Sequence, residues 1–280
     1  MTKVSSASPV AFDIPCADGL FIRGEVYPAQ APLGSVVICH GFKGFAHWAF
    51  FPYLARSLAE NGLTAITFDF SGSGIGGDRE TFTERDAFGG NTFSRELEDI
   101  GNVVDYARRM KFIKGKFGMF GHSRGGAMAI LYTAIPDAEV KSLVTWAAIG
   151  RTTWWTPEEA LIWRRQGHAD VTNSRTGQVM RMGTELLDDV EVNGNTKLNV
   201  AAAAAKIRVP WLIVHGTADE TVPSTDAERL HELSNGVSTL RLIEGANHTF
   251  DAKHPLAAVP PALEKVVMET VKFFVRNAAL

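Results

Sequence analysis

Two kinds of apolar pattern alternate along the chain. Short runs rich in β-branched and aromatic residues predict strands over 21–27, 35–39, 64–68, 116–120, 143–146, 211–214 and 239–243. Several of these runs are apolar at consecutive positions, as strands covered on both faces must be. Between them, 48–60, 94–110, 126–135, 225–233 and 262–276 repeat apolar residues at the three-to-four spacing of amphipathic helices. Alternation of this kind predicts an α/β protein with a mainly parallel central sheet and helices on both faces. The first two strands lie too close together for a helical crossover, so an antiparallel hairpin is expected at one edge of the sheet.

One stretch interrupts the alternation. Roughly sixty residues separate the strand ending near Trp146 from the one starting near Trp211, where a crossover needs about a dozen. The insertion, 150–205, holds Trp154, Trp155 and Trp163, a polar turn-like piece over 172–177 that includes Ser174 and Arg175, and an alanine run over 201–205. Its aromatic and helical content predicts a small folded cap. Residues 1–149 and 206–280 then form one core domain around it. No internal repeat is present.

Composition narrows the function classes. The 280 residues carry 28 Lys and Arg against 31 Asp and Glu, a net charge of -3, with no basic excess for a phosphate backbone. Nucleic acid is not an expected partner. The start of the chain, with Ser5, Ser6, Ser8 and Asp13, lacks the apolar core of a secretory signal, and no apolar run is long enough to span a bilayer. A soluble, cytoplasmic protein with no membrane partner is expected, its two cysteines, Cys16 and Cys39, reduced and Cys39 inside. Neither His-Glu-x-x-His nor Cys-x-x-Cys occurs, so no metal site is expected.

The candidate chemistry lies in the turns that follow predicted strands. Gly121-His122-Ser123-Arg124-Gly125 matches Gly-x-Ser-x-Gly between a strand and a helix, where a sharp turn lifts a serine hydroxyl above the sheet and small neighbours let helix approach strand. Gly126 extends that close approach. A serine hydroxyl is a weak nucleophile at neutral pH and needs a base with a group to orient it. Of eight histidines, His248 follows the last predicted strand and can return over the carboxyl edge of the sheet; His254 is the alternative, more like a surface-loop residue. Asp219, after the strand at 211–214, is the candidate acid, with Glu220 beside it as the alternative and Asp226 expected in a first helical turn. Backbone N–H groups of Phe42 and Arg124 are the expected donors to an oxyanion. Trp154, Trp155, Trp163 and Phe45 are candidates for a substrate wall. The run Gly72-Ser73-Gly74-Ile75-Gly76-Gly77 satisfies Gly-x-Gly-x-x-Gly, but its sequel is charged and loop-like rather than the start of a helix, so dinucleotide binding is not expected.

Five motifs together give the chain a family resemblance: HGFKG from His40, FDFSGSG from Phe68, GHSRGG from Gly121, HGTADETVP from His215 and EGANHTF from Glu244. From about Phe21 to Arg276 it resembles the α/β-hydrolase superfamily, in which Ser, Asp and His follow in the order of Ser123, Asp219 and His248. Within that superfamily it is similar to capped bacterial carboxylesterases near the cinnamoyl (feruloyl) esterases and to serine-aminopeptidase-like hydrolases. The resemblance implies a serine esterase without metal or cofactor, its acyl or aryl pocket formed partly by the insertion and its partner a small-molecule ester. The insertion departs from cinnamoyl esterases at Arg164-Arg165 and over 188–195. Amidase and cofactor-free haloperoxidase chemistry share such a triad, and a hydrolase fold reused as a ligand receptor is the non-enzymatic alternative. Apolar cap surface and a free sheet edge would also allow a homodimer.

Overall fold

Alternation along the strands decides which face of the sheet each residue joins. A computed structural model describes residues 8–173 and 176–278; Ser5, Ser6, Ser174 and Arg175, named above, lie outside the described residues. The chain opens with β1 (Val10–Pro15), β2 (Phe21–Tyr27) and β3 (Gly34–Cys39), then α1 (Phe50–Glu60), β4 (Leu63–Asp69), the short α2 (Arg85–Gly89) and α3 (Phe93–Arg109). Next come β5 (Phe117–His122), α4 (Arg124–Thr133) and β6 (Val140–Trp146). The insertion supplies α5 (Pro157–Gln166), a separate antiparallel hairpin of β7 (His168–Thr172) and β8 (Val179–Gly183), then α6 (Glu185–Asn193) and α7 (Val200–Ala204). β9 (Trp211–Gly216), α8 (Ser224–Leu233), β10 (Ser238–Ile243) and α9 (Pro261–Ala278) complete the chain.

Eight strands form the main sheet in the order β1-β2-β4-β3-β5-β6-β9-β10, parallel except for the β1/β2 and β2/β4 pairs. Val37, Cys39, Met119 and Leu143 face one apolar cluster, with α3, α4 and α8 over it. Val36, Ile38, Phe120 and Val144 face the other, under α1 and α9. This is the period of two that a strand imposes, applied to strands buried on both sides.

The expected edge hairpin is corrected in its partners. β2 is antiparallel, but it pairs with β1 and β4 rather than with β3. β3 is buried at all but its first position, which suits the sheet interior, whereas β2 alternates, with Arg23 and Glu25 half-buried, which suits a place near the edge. β1 is a short amphipathic strand that the apolar runs did not reveal. Cys16 and Cys39 are both free thiols, and Cys39 is buried. The glycine run over 72–77 opens no helix; the next one begins at Arg85. Among the described residues no helix is long and apolar enough to cross a membrane.

Candidate active site

Parallel strands bring their carboxyl ends to one edge, and the turns leaving β3, β5, β6, β9 and β10 meet there around one cavity of about 700 Å3. Gly41, Phe42, Ser123, Arg124, Ile149, Thr221, Val222 and His248 all line it.

Ser123 sits between β5 and α4 at φ 56° and ψ -122°, a conformation that L side chains rarely adopt. Packing holds it there. Its N–H donates to the Trp146 carbonyl at 2.9 Å, tying the turn to the end of β6. A Cβ on Gly125 would lie 2.3 Å from the His40 carbonyl oxygen, one on Gly121 2.1 Å from the Gly125 carbonyl oxygen, and one on Gly126 2.5 Å from the Ala148 Cβ. The small residues of the motif are therefore required by the contact of α4 with β3 and with the segment after β6. Gly41 serves the facing loop: a Cβ there would come within 2.9 Å of the Ser123 Cβ.

His248 and Asp219 come together from loops twenty-nine residues apart, His248 Nδ1 lying 2.7 Å from Asp219 Oδ2. With Nδ1–H donating to the carboxylate, Nε2 is left as the basic nitrogen. The Asp219 side chain is buried. Burial alone works against its charge, but the His215 and His248 rings and the Val222 N–H all donate to it, and together they hold the carboxyl well below the usual range. Asp219 Oδ1 accepts from the N–H groups of Thr221 and Val222 at 2.8 and 2.9 Å, which fixes the turn. Glu220 is exposed on the same turn.

Three further histidines support the constellation, and the sequence reading did not single them out. His215 Nε2 lies 3.2 Å from Asp219 Oδ2 and 2.9 Å from the Val222 carbonyl oxygen. His122 Nε2 donates to the His248 carbonyl at 3.0 Å; burial lowers its pKa to about 3, so its ring is a neutral donor. His40 Nδ1 donates to the Gly41 carbonyl at 2.8 Å while Nε2 accepts from the Phe70 N–H at 3.3 Å, and burial lowers its pKa to about 4. Each stands at the end of a strand or directly after it. That position was the available signal.

Phe42 and Arg124, whose N–H groups are the expected oxyanion donors, both line the cavity. Arg124 is the first residue of α4, where a backbone N–H has no partner within its own helix. Its side chain turns inward: Nε donates to Glu96 at 3.0 Å, and the guanidinium lies over the Phe93 ring at 3.9 Å and the Phe42 ring at 5.5 Å. One buried cation therefore braces both residues.

The expected substrate wall divides. Trp154 lines the cavity, half-exposed, 6.2 Å from the Phe42 ring. Phe45 does not form wall; it is fully buried against Phe82 and His254. Trp163 is likewise a core side chain, its indole N–H donating to the Met182 carbonyl at 3.0 Å within the insertion. Trp155 packs between Trp154 and Trp163 and borders a second, smaller pocket with Arg164 and Leu187. His254, set aside above as a surface residue, lines the main cavity, its Nδ1 accepting from the Ala49 N–H at 2.9 Å. Asp226 lies in the first turn of α8 as expected, and it also accepts from the Gly150 N–H at 2.8 Å, which anchors the start of the insertion. Lys43, Trp48, Phe51, Arg151 and Lys253 complete much of the remaining wall.

Comparison with known proteins agrees with this architecture. Human monoglyceride lipase is 25% identical over 273 residues, covering 85% of this chain and 83% of the lipase. The ferulic acid-bound structure of Est1E from Butyrivibrio proteoclasticus superposes with a TM-score of 0.72 at 24% identity, covering 96% of this chain and all of that one. A monoacylglycerol lipase from Paleococcus ferrophilus gives 0.69 at 18% identity, covering 92% and 99% of the two chains. The family model for the alpha/beta hydrolase fold matches residues 34–176, from β3 to just past β7 in the insertion. With the sheet order, the turn at Ser123 and that match in hand, the chain belongs to the alpha/beta hydrolase fold family.

Proposed function

We propose that this chain is a serine hydrolase that cleaves carboxylic esters through an acyl-enzyme. The observation that carries the reading is the meeting of Ser123, on a positive-φ turn, with the bonded pair of His248 and Asp219 at one cavity.

In the proposed reaction, Ser123 Oγ bonds to the ester carbonyl carbon while its proton passes to His248 Nε2. Asp219 holds the ring in the required tautomer and stabilises the imidazolium. The N–H groups of Phe42 and Arg124 receive the developing oxyanion. On collapse the carbon–oxygen bond to the alcohol breaks, and the alcohol leaves with the proton from His248. Water then adds to the acyl-enzyme by the same proton route, releasing the acid and restoring Ser123. The presence of Ser123 and the His248–Asp219 pair at one cavity speaks against reuse of the fold as a ligand receptor.

Phe42, Trp48, Phe51, Ile149 and Trp154 give the cavity an apolar wall suited to an alkyl or aryl acyl group. The ferulic acid bound by the similarly folded Est1E supports an aryl acid as one such group. We infer that the insertion acts as a cap, since Arg151, Trp154 and Asn173 bring it to the cavity wall. Exposure to a fluorophosphonate probe followed by peptide mass mapping tests the reading. Modification at Ser123 is expected; an unmodified Ser123 under conditions that label a control serine hydrolase overturns it.

A further inference from the structure

The cavity around Ser123 has a charge opposite to that of the chain. The protein carries a net charge of -3, yet Lys43, Arg151 and Lys253 line the cavity against a single carboxylate, Asp226. Arg124, the remaining cation of the wall, is already paired with Glu96 at 3.0 Å. Asp226 is engaged as well, through the Gly150 N–H.

The three cations are poorly compensated. Arg23, Arg79, Arg95, Arg108 and Arg164, elsewhere on the chain, each meet a carboxylate at 2.5–2.7 Å. Arg151 and Lys253 are exposed at the cavity and have no ion-pair partner among the described residues. Lys43 is partly buried, and among the described residues its Nζ meets the Thr172 carbonyl, at 3.2 Å, and the Phe42 ring, 5.9 Å away, but no carboxylate. Burial holds its ammonium below the ordinary lysine range. A partly desolvated cation without a carboxylate gains most from an anion delivered by a ligand, and a low-dielectric cavity of one sign focuses the field that draws it in. The apolar wall beside these cations would take the rest of such a molecule.

From this lining we propose that the site selects esters bearing a carboxylate, on the acyl or the alcohol arm, with Lys43, Arg151 and Lys253 as its specificity-determining side chains. The proposal rests on the esterase reading above. Its test compares kcat/KM, after subtraction of spontaneous hydrolysis, for two matched pairs. The first pair is mono-4-nitrophenyl glutarate against 4-nitrophenyl pentanoate, and the second is carboxymethyl benzoate against propyl benzoate. At about 20 mM salt the charged member of at least one pair is expected to lead by about tenfold or more. That ratio should collapse toward one at about 0.5 M salt, where screening is short-ranged, and in the doubly substituted Arg151→Gln, Lys253→Gln protein. Ratios at or below one for both pairs in the unmodified protein overturn the proposal. A parallel titration of the Ser123→Ala protein, followed by tryptophan fluorescence from Trp48 and Trp154, separates the two readings. If no ester is turned over, the esterase reading fails; benzoate binding more tightly than benzyl alcohol then still supports anion selection, and equal binding overturns it.

Discussion

Asp69 and Asp219 are both buried carboxyls, and their surroundings move them in opposite directions. Asp219 has several donors and stays ionised. Asp69 accepts from the Ala46 N–H at 2.6 Å, but its second oxygen is buried without a hydrogen-bond partner among the described residues, and burial raises its pKa to about 7. Between the unfolded value near 4 and that folded value, the native state binds a proton that the unfolded chain has lost. Asp69 therefore weakens the fold as pH rises through this window and costs most above it, on the order of 2 to 4 kcal/mol. An Asp69→Asn variant keeps the acceptor for Ala46 and removes the charging cost, at the expense of a poorly bonded amide present at every pH. Relative to the unmodified protein, urea unfolding should show the variant gaining stability at about pH 8 compared with about pH 5. A difference between the two proteins that stays constant with pH would contradict this account of Asp69. The residue scale also limits what a sequence can reveal. Phe42 and Phe45 share one short loop, but Phe42 lines the cavity and Phe45 is buried beneath it, and no local pattern distinguishes them.

The turn from β5 through Ser123 into α4 was legible because its chemistry and its packing demand the same small residues. Gly125 is the tightest example outside the strand, since a Cβ there would meet backbone oxygens of His40 and Cys39 at 2.3 and 2.5 Å. Backbone cannot rotate aside as a side chain can. Gly125→Ala should force α4 away from β3, costing about 1–3 kcal/mol of stability and separating the N–H groups of Arg124 and Phe42, with loss of ester turnover. Gly101, inside α3 with nothing within 4 Å of its would-be Cβ, is the control; Gly101→Ala should leave turnover intact and add up to about 1 kcal/mol. Thermal unfolding and turnover measured on both variants check this, and equal tolerance at the two sites would count against it. Elements carried by weaker patterns were less readable. β1 and the β7/β8 hairpin are short and half exposed, so no apolar run marks them. Trp163 and Trp154 lie nine residues apart in the same insertion, but only the helix that carries Trp163 turns it into the core.

For the molecule as a whole, the local patterns located seven of the eight main-sheet strands and the flanking helices closely, but missed β1 and gave β2 the wrong neighbour. Sequence distance alone pairs β2 with β3, whereas it lies between β1 and β4. The choice follows from which strand is apolar enough for the sheet interior. The three proposed triad residues were readable because each lies in a turn after a strand and a parallel sheet gathers such turns at one edge. The charged wall was not. Lys43, Arg151 and Lys253 come from three loops far apart in sequence, and only the closed fold brings them to one cavity. The insertion adds to that cavity from one side and is tied down through Asp226 and through the Ser94 N–H, which donates to Asp189 at 2.9 Å. Ser123 is the proposed nucleophile, and the hydrolysis of 4-nitrophenyl butyrate and methyl ferulate by Ser123→Ala beside the unmodified protein tests that role. Turnover of at least one ester by the unmodified protein, falling by about four orders of magnitude or more in the variant, is the predicted result. Activity persisting in the variant near the unmodified level would contradict the assignment of Ser123 as nucleophile.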